Sequence, residues 1–575
     1  MMHRAESGSQ KPPGASWETG VALAGTGFIA FMLFLLTINA GPLWRDETNS
    51  INIAQMSSRG EFWNNMAFES FPALWLLILR GYNSLGLAAS DAGIRMLGFF
   101  VGLAFLGSLW FSARRFGARG PILSLALLGC LPFFFFTVQS NRAYGLAMCL
   151  LVLSFGAFWL VVQSPTPARI IWAGIVSLLF VHCVYYDVVF LCAMLFGASL
   201  VLARRRQWKA VAALAGVSAS AASTLIIYMP ILKKASAYAP MIRTPFNLSL
   251  LWDKLCEALT ACSGPQPAAA NPMVWVWILL VALGVAGALV VLLPGAGSTS
   301  DATVANPGPL VWAARVREDL ALFSLVSLLL GSAAHLSFLL KLQFPTEPWY
   351  YFGMLSLCGI ALDGLLTANW AAPRPWGFLR IGFMVVMLAW GARSVWQEAR
   401  TRRSNIDLIA DVLGREAGKE DLIVVQGAWE GLGWDRYYQG ATRWVTVPPI
   451  GSHKVHRTDL MWDAMNEPDP IGPLLAQITS TLRNSNTVWV VGRLVATNPS
   501  QLAAAAPSPL PTRRWLGEYL WYWISQVSVH LSRSALEMKV IESTVDGPVS
   551  RFENLPLQRF SGYLFGPDEE NRPPR

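Results

Sequence analysis

Apolar runs of about 20 residues, each long enough to cross hydrocarbon as a helix, recur through the first 395 positions with short polar or basic breaks between them. The first, residues 21–40, follows a polar head holding Arg4 and Lys11 and lacks a small-residue cleavage pattern, so it reads as a retained anchor. One run departs from the rule. Residues 71–87 (FPALWLLILRGYNSLGL) open with Phe71-Pro72 and carry Arg80 and Asn83, which predicts a helix lying in the membrane interface with Trp75 and Tyr82 at headgroup depth. The remaining runs predict spans at about 92–112, 119–138, 143–163, 168–184, 187–203, 210–230, 272–294, 318–340, 349–369 and 376–395, or about eleven with the first. Beyond residue 397 the pattern changes. Residues 421–426 (DLIVVQ) and 487–491 (TVWVV) read as buried strands, and Leu516, Leu520, Trp523, Ile524, Val527 and Leu531 recur at helical spacing, predicting a core-facing helix.

The predicted fold is therefore a polytopic α-helical membrane protein with a carboxyl-terminal α/β domain. Its expected parts are a tail at 1–19, a transmembrane domain at 20–396 with a long outer loop at 41–91, and the α/β domain at 397–575. Composition agrees: 54% of the 575 residues are hydrophobic and 14% charged, where a soluble chain carries about a quarter charged. The net charge of +9 comes from cations clustered between spans, a positive-inside pattern and not a nucleic-acid footprint. Arg114, Arg115 and Arg119, then Arg169, Arg204, Arg205, Arg206 and Lys209, then Arg315, Arg317 and Arg374 all fall on the side of the amino terminus. That side is expected to be cytoplasmic, with the α/β domain outside. The segment at 295–310 is rich in Gly, Ser and Pro and reads as an inner link. No zinc-type spacing occurs among the seven Cys, and Cys256 and Cys262 share a loop where a disulfide is open to either outcome.

The rest of the chain is organised around residues 41–52 (GPLWRDETNSIN), where Asp46 and Glu47 follow directly on the first span. Acids at the start of an interfacial helix suit its dipole; a carboxylate pair so near the bilayer also suits a water-filled site. The predicted topology brings to the same membrane face Arg95, Gln139, Asn141, Arg142, Tyr144, His182, Tyr185, Asp187, Lys233, Lys234, Arg243, Lys341, Glu347, Tyr350 and Tyr351. Snorkelling explains single charges at span ends, but acids, bases and aromatics mixed in nearly every outer loop fit a site better. His453, His456 and Asp459 nominally offer metal ligands without a third firm partner.

Taken in order, these features resemble the GT-C superfamily of integral-membrane glycosyltransferases, in the branch of protein O-mannosyltransferases and lipid A aminoarabinose transferases. The residues that carry the resemblance are Asp46-Glu47, Phe71-Pro72, the run from Asp91 through Arg95 to the 113–117 stretch (ARRFG), then 141–145 (NRAYG) and 348–352 (PWYYF). The family often has His before the Pro of the interfacial helix; Phe71 stands there in this chain.

The resemblance implies transfer of a sugar from a polyprenyl-phosphate donor to a hydroxyl acceptor, with inversion; the first outer loop holds no DxD motif, which predicts transfer without a metal. Asp46 matches the position of the base, with Glu47 a supporting acid, and Arg95 matches the arginine that opens the second span. Lys233, Lys234, Arg243, Arg142 and Lys341 are the expected phosphate contacts, with lipid headgroup anchoring as the alternative for each. Tyr144, His182, Tyr350 and Tyr351 are expected to line the site. The membrane implied is the bacterial inner membrane, the partners the lipid-linked donor, an acceptor and membrane lipids. A surface-polysaccharide ligase or polymerase using a diphosphate-linked donor is the alternative enzyme. A transporter or flippase is a further class, disfavoured because charges sit at span ends and not near the midplane.

Overall fold

A computed structural model describes residues 15–260, 271–293, 309–369, 374–494, 515–541 and 547–564. Cys262 lies outside them, as does the 295–310 segment apart from its last two residues. The amino-terminal half carries helices α1 (Ala15–Asn39), α2 (Arg45–Ala54), α3 (Arg59–Asn65), α4 (Ala73–Ser84), α5 (Asp91–Arg115), α6 (Ile122–Gly129), α7 (Pro132–Gln139), α8 (Ala143–Gln163), α9 (Pro167–Val181), α10 (Asp187–Arg204) and α11 (Trp208–Ser223). There follow α12 (Met229–Ser236), α13 (Leu248–Thr260), α14 (Pro272–Leu292), α15 (Pro309–Leu342), α16 (Phe352–Asn369) and α17 (Arg374–Ala399). Among the described residues nine helices are long and apolar enough to span a membrane, and the protein is a multi-pass membrane protein.

Two of the eleven expected spans differ from the others. The predicted span at 119–138 is not one straight helix: α6 and α7 meet at 98°. Pro132 explains the break, since it disfavours helical backbone at Leu131 and supplies no N–H. The predicted span at 168–184 is α9, only 15 residues long. The bent pair nonetheless runs from one end of the bundle to the other. At its start Arg119 meets Glu18 at 3.1 Å, near the beginning of α1. At its end Gln139 bonds Thr37, and Asn141 N–H donates to Glu47 Oε1 at 2.9 Å.

The same ends recur through the bundle. Arg205–Asp319 (2.5 Å), Arg204–Glu318 (2.8 Å) and Arg380–Glu18 (3.7 Å) tie the far end. Glu47, His182, Lys254 and Arg403 lie at the end where α2 and α4 pack. The segment at 71–87 holds α4, a 12-residue helix in the loop between α1 and α5.

After α17 the chain folds back on its first loop. Arg403 N–H donates to Ala40 C=O at 2.7 Å and Asn39 Nδ2 to Ala399 C=O at 3.1 Å. Gly41 sits at φ +67, and a Cβ there would meet the Arg402 guanidinium at 2.8 Å, so this corner requires glycine.

The remaining chain forms α18 (Ile406–Glu416), β1 (Leu422–Gln426), α19 (Glu430–Tyr437), β2 (Arg443–Val447), α20 (Thr458–Asn466), α21 (Gly472–Arg483), β3 (Val488–Val491), α22 (Leu516–Ser534), β4 (Ala535–Ile541) and β5 (Leu557–Tyr563). Strand order is β2-β1-β3-β5-β4. β1 is parallel to β2 and β3, while β5 is antiparallel to β3 and β4. Alternate residues of β1 serve two cores. Leu422 and Val424 pack with α20, α21 and α22; Ile423 and Val425 pack with α18 and α19. Leu516, Trp523, Val527 and Leu531 of α22 are buried in the first core, as their spacing predicts.

Candidate active site

Helix α2 stands where the bundle, the first loop and the sheet unit meet, and its sequence divides it into two polar faces. Consecutive helical residues point about 100° apart, so Asp46 and Glu47 face different surroundings. Glu47 turns inward and is fully buried. Its Oε1 lies 2.7 Å from Arg95 Nη1 and accepts from Asn141 N–H, while Oε2 accepts from Trp44 N–H at 3.2 Å. Arg95 donates its other Nη to Pro42 C=O at 2.7 Å. Glu47 is thus engaged through both oxygens, and Arg95 through both Nη atoms, with each other and with the loop backbone.

Asp46 faces the opening, its side chain 25% exposed. Three cationic or titratable groups surround it: His456 Nε2 at 3.3 Å, Arg45 Nε at 3.8 Å and Arg142 Nη2 at 3.9 Å. Burial alone would raise the Asp46 carboxyl; Arg142, His456 and Arg45 outweigh it and hold the group well below the usual carboxylate range.

Arg142 links the halves of the site. It donates to Asp46 C=O at 2.9 Å, lies 3.4 Å from Glu69 Oε1, and stacks over the Phe71 ring at 4.5 Å. Phe71 therefore occupies the expected histidine's position as a face for a cation. Glu69, which sequence reasoning missed, also accepts from Ser50 Oγ at 2.5 Å and Asn49 Nδ2 at 3.3 Å. Tyr144 stands edge-on to Phe71 at 4.9 Å and to Tyr350 at 6.0 Å, continuing the wall away from Arg142.

The other predicted residues divide. Lys234 is over the Phe68 ring at 5.2 Å, and a second cation, Arg457 of the sheet unit, is over the same ring at 5.8 Å. Lys233, Arg243 and Lys341 are exposed side chains on the same end of the bundle. Tyr351 is fully buried, with its hydroxyl 2.8 Å from that of Thr346, in packing and not in the opening. His182 is held by Tyr228 OH (2.9 Å) and Thr224 Oγ1 (2.8 Å), and Tyr228 OH accepts from Ala73 N–H (3.1 Å), so His182 braces the start of α4. His453, His456 and Asp459 do not converge: His453 packs on Trp444 at 4.8 Å, His456 faces Asp46, and Arg457 takes both oxygens of Asp459 at 2.8 and 2.7 Å.

The sheet unit supplies more of the site than its sequence suggests. Glu430, at the start of α19, pairs with Arg45. Arg436 (2.7 Å) and Tyr437 OH (2.5 Å) meet Asp91, and Tyr437 OH accepts from Leu43 N–H at 2.7 Å. Glu553 Oε1 accepts from Arg45 N–H at 3.2 Å.

No family model and no curated protein matches the chain. Among solved structures, it is similar to ArnT from Cupriavidus metallidurans bound to undecaprenyl phosphate, at 15% identity over 94% of this chain and 98% of that one, with a TM-score of 0.38. It is also similar to the apo oligosaccharyltransferase of Archaeoglobus fulgidus, at 13% identity over 92% and 80%, with a TM-score of 0.44. The archaeal oligosaccharyltransferase AglB of the same organism, in complex with an inhibitory peptide and a dolichol-phosphate, is similar at 12% identity over 97% and 75%, with a TM-score of 0.40.

Proposed function

We propose that this protein is an inverting glycosyltransferase that moves a sugar from a polyprenyl-phosphate donor to the hydroxyl of a lipid, glycan or protein. The reading places the site on the outer face of a bacterial inner membrane, with the amino terminus in the cytoplasm and the sheet unit outside. One observation carries it: a partly exposed carboxylate, Asp46, is held ionised beside the buried guanidinium of Arg142 where three parts of the chain meet. An alcohol becomes an effective nucleophile when a positioned carboxylate receives its proton. A departing lipid phosphate needs fixed cations and donors around its developing charge, and little acid catalysis. In this reading Asp46 accepts from the acceptor hydroxyl. Glu47 and Arg95 hold the helix that presents it, and Arg142 faces the phosphate, with Lys234, Lys233, Arg243 and Lys341 as the outer cations along the lipid's approach. Tyr144 and Tyr350 form the aromatic wall for sugar or lipid.

The test is transfer by full-length protein reconstituted with a lipid-phosphate sugar. Asp46→Asn is expected to lose transfer by a factor on the order of 100 or more while keeping its melting temperature. Wild-type turnover in that variant removes Asp46 as base. Use of diphosphate-linked donors alone favours the ligase reading, and substrate movement without bond formation favours a transporter.

A further inference from the structure

A row of rings leads inward from Arg142. Phe71 lies beneath its guanidinium, Tyr144 stands edge-on to Phe71, and Tyr350 edge-on to Tyr144. The next ring is Tyr186, immediately before α10 and 6.4 Å from Tyr350. These rings curve round one space, since the Tyr144 hydroxyl is in electrostatic reach of Arg142, Asp46, Tyr350 and Tyr186 at once. The row ends on an imidazole. His335 of α15 lies 5.2 Å from the Tyr186 ring and stacks at 4.9 Å on Phe190, one helical turn further along α10. Two glycines make room for this stack. A Cβ at Gly331 would meet Leu357 at 2.6 Å and one at Gly353 would meet Phe190 at 3.2 Å, so α15 and α16 close around the Phe190 ring because both positions lack a side chain.

The imidazole is out of keeping with its surroundings. His335 is fully buried, and neither Nδ1 nor Nε2 has a hydrogen-bond partner. The Tyr350 carbonyl faces the ring without completing a bond. A phenylalanine would fill the same space beside Tyr186 and Phe190 and leave no polar atom unsatisfied. An ionisable side chain inside a membrane bundle that gains nothing from its burial points to a ligand. An isoprenoid chain brings no hydrogen-bonding group to meet it, whereas a sugar ring carries hydroxyls. We infer that the donor's sugar ring lies along this row and that His335 reads one of its hydroxyls at the inner end. This inference rests on the glycosyl-transfer reading and narrows it, since Tyr144, Tyr350 and Tyr186 then face the sugar and not the lipid chain. The order of the row sets the pose. Arg142 opens it beside the phosphate, so the anomeric carbon lies at that end with Asp46, and the far hydroxyls point to Tyr186 and His335. Tyr186 is half-buried and covers the imidazole on the side of the opening, so its ring turns aside as the hydroxyl arrives.

The experiment uses the full-length protein in nanodiscs, wild type and His335→Phe. The probes are undecaprenyl phosphate alone, the same lipid carrying glucose, galactose or mannose, and the monodeoxy analogues of those sugars. His335→Phe is expected to keep or raise the melting temperature, since it deletes buried polar atoms without opening a cavity. Wild-type protein is expected to be stabilised more by a hexose-bearing lipid than by the bare lipid phosphate, and His335→Phe to respond to the two alike. In transfer, one deoxy analogue is expected to fall behind its parent by on the order of 100-fold in kcat/KM for wild type and by about fivefold or less for His335→Phe. Equal discrimination by the two proteins overturns the inference, as does a wild type stabilised no more by the hexose-bearing lipids than by the bare one. A lower melting temperature in His335→Phe also overturns it, since the imidazole would then be satisfied in the resting protein. Sugar-dependent binding that His335→Phe abolishes, in a wild type that transfers nothing, upholds the sugar site and counts against the glycosyl-transfer reading alone.

Discussion

Glu47 and Arg95, 48 positions apart in the chain, form a buried ion pair at 2.7 Å beneath the helix that presents Asp46. Adjacent acids on α2 thus have separate tasks: one is turned to the opening and one to the bundle. Removing one partner of a buried pair leaves an uncompensated charge and costs about 3–5 kcal/mol. Glu47→Ala is expected to lower the melting temperature in detergent and to lose transfer with it. Asp46→Asn is expected to lose transfer alone. Equal melting temperatures for the two variants contradict this division.

Arg142 is fixed on three sides, by Asp46, Glu69 and the Phe71 face. A lysine cannot reproduce a planar fork that touches all three. Arg142→Lys is expected to raise the donor KM and to lower turnover by about 100-fold, as for loss of one fixed donor to a developing oxyanion. Phe71→Leu keeps the bulk and removes the ring quadrupole, so a smaller loss is expected, about thirtyfold for a desolvated cation–π contact near 2 kcal/mol. Steady-state kinetics against donor concentration checks both.

Burial pushes the Glu553 carboxyl up to about 8; Arg45 opposes the rise and Glu430 adds to it. The folded protein then holds a proton that the unfolded chain, at the ordinary value of 4.5, has released. The contribution is complete below the unfolded value and is lost as pH rises through the folded one. Wild-type protein is therefore expected to lose melting temperature from pH 5 to pH 8.5 relative to Glu553→Gln, which cannot ionise. Parallel melting curves for the two across that range refute it.

The bundle's two ends make the topology measurable. Cysteines introduced at exposed Lys419 and Lys454 belong to the end with Asp46, and one at exposed Arg206 belongs to the other. Impermeant thiol labelling of intact cells is expected to modify the first two and spare the third. Labelling of Arg206→Cys alone reverses the assigned orientation.

Periodicity made the bundle, the short helix α4 of the first loop and the core-facing α22 legible, because each buries a face whose spacing is written locally. The break between α6 and α7 was signalled by Pro132 but hidden by continuous apolarity on either side. In the site, Asp46, Arg142 and Tyr350 stood out as polar or aromatic residues at span ends. Tyr351 carried the same signal although it packs inward, since adjacent aromatics do not reveal which faces the opening. Glu69, Glu430 and Glu553 escaped notice, and His456 read only as a nominal metal ligand, because such partners lie up to 508 residues apart in the chain. Only the Asp46-Asn49-Asn52 stripe hinted that α2 would dock a polar loop, where Asn52 and Asn49 bond the backbone of Lys454 and His456.

The hydrogen bonds joining Asn39 and Ala40 to Ala399 and Arg403 have a mechanical consequence. The chain enters its first loop and leaves α17 at one knot, so the root of the sheet unit is moored to the start of that loop. A shortened protein ending at this knot would forfeit Glu430, His456 and Glu553, the groups that surround Arg45 and Asp46 from the far side.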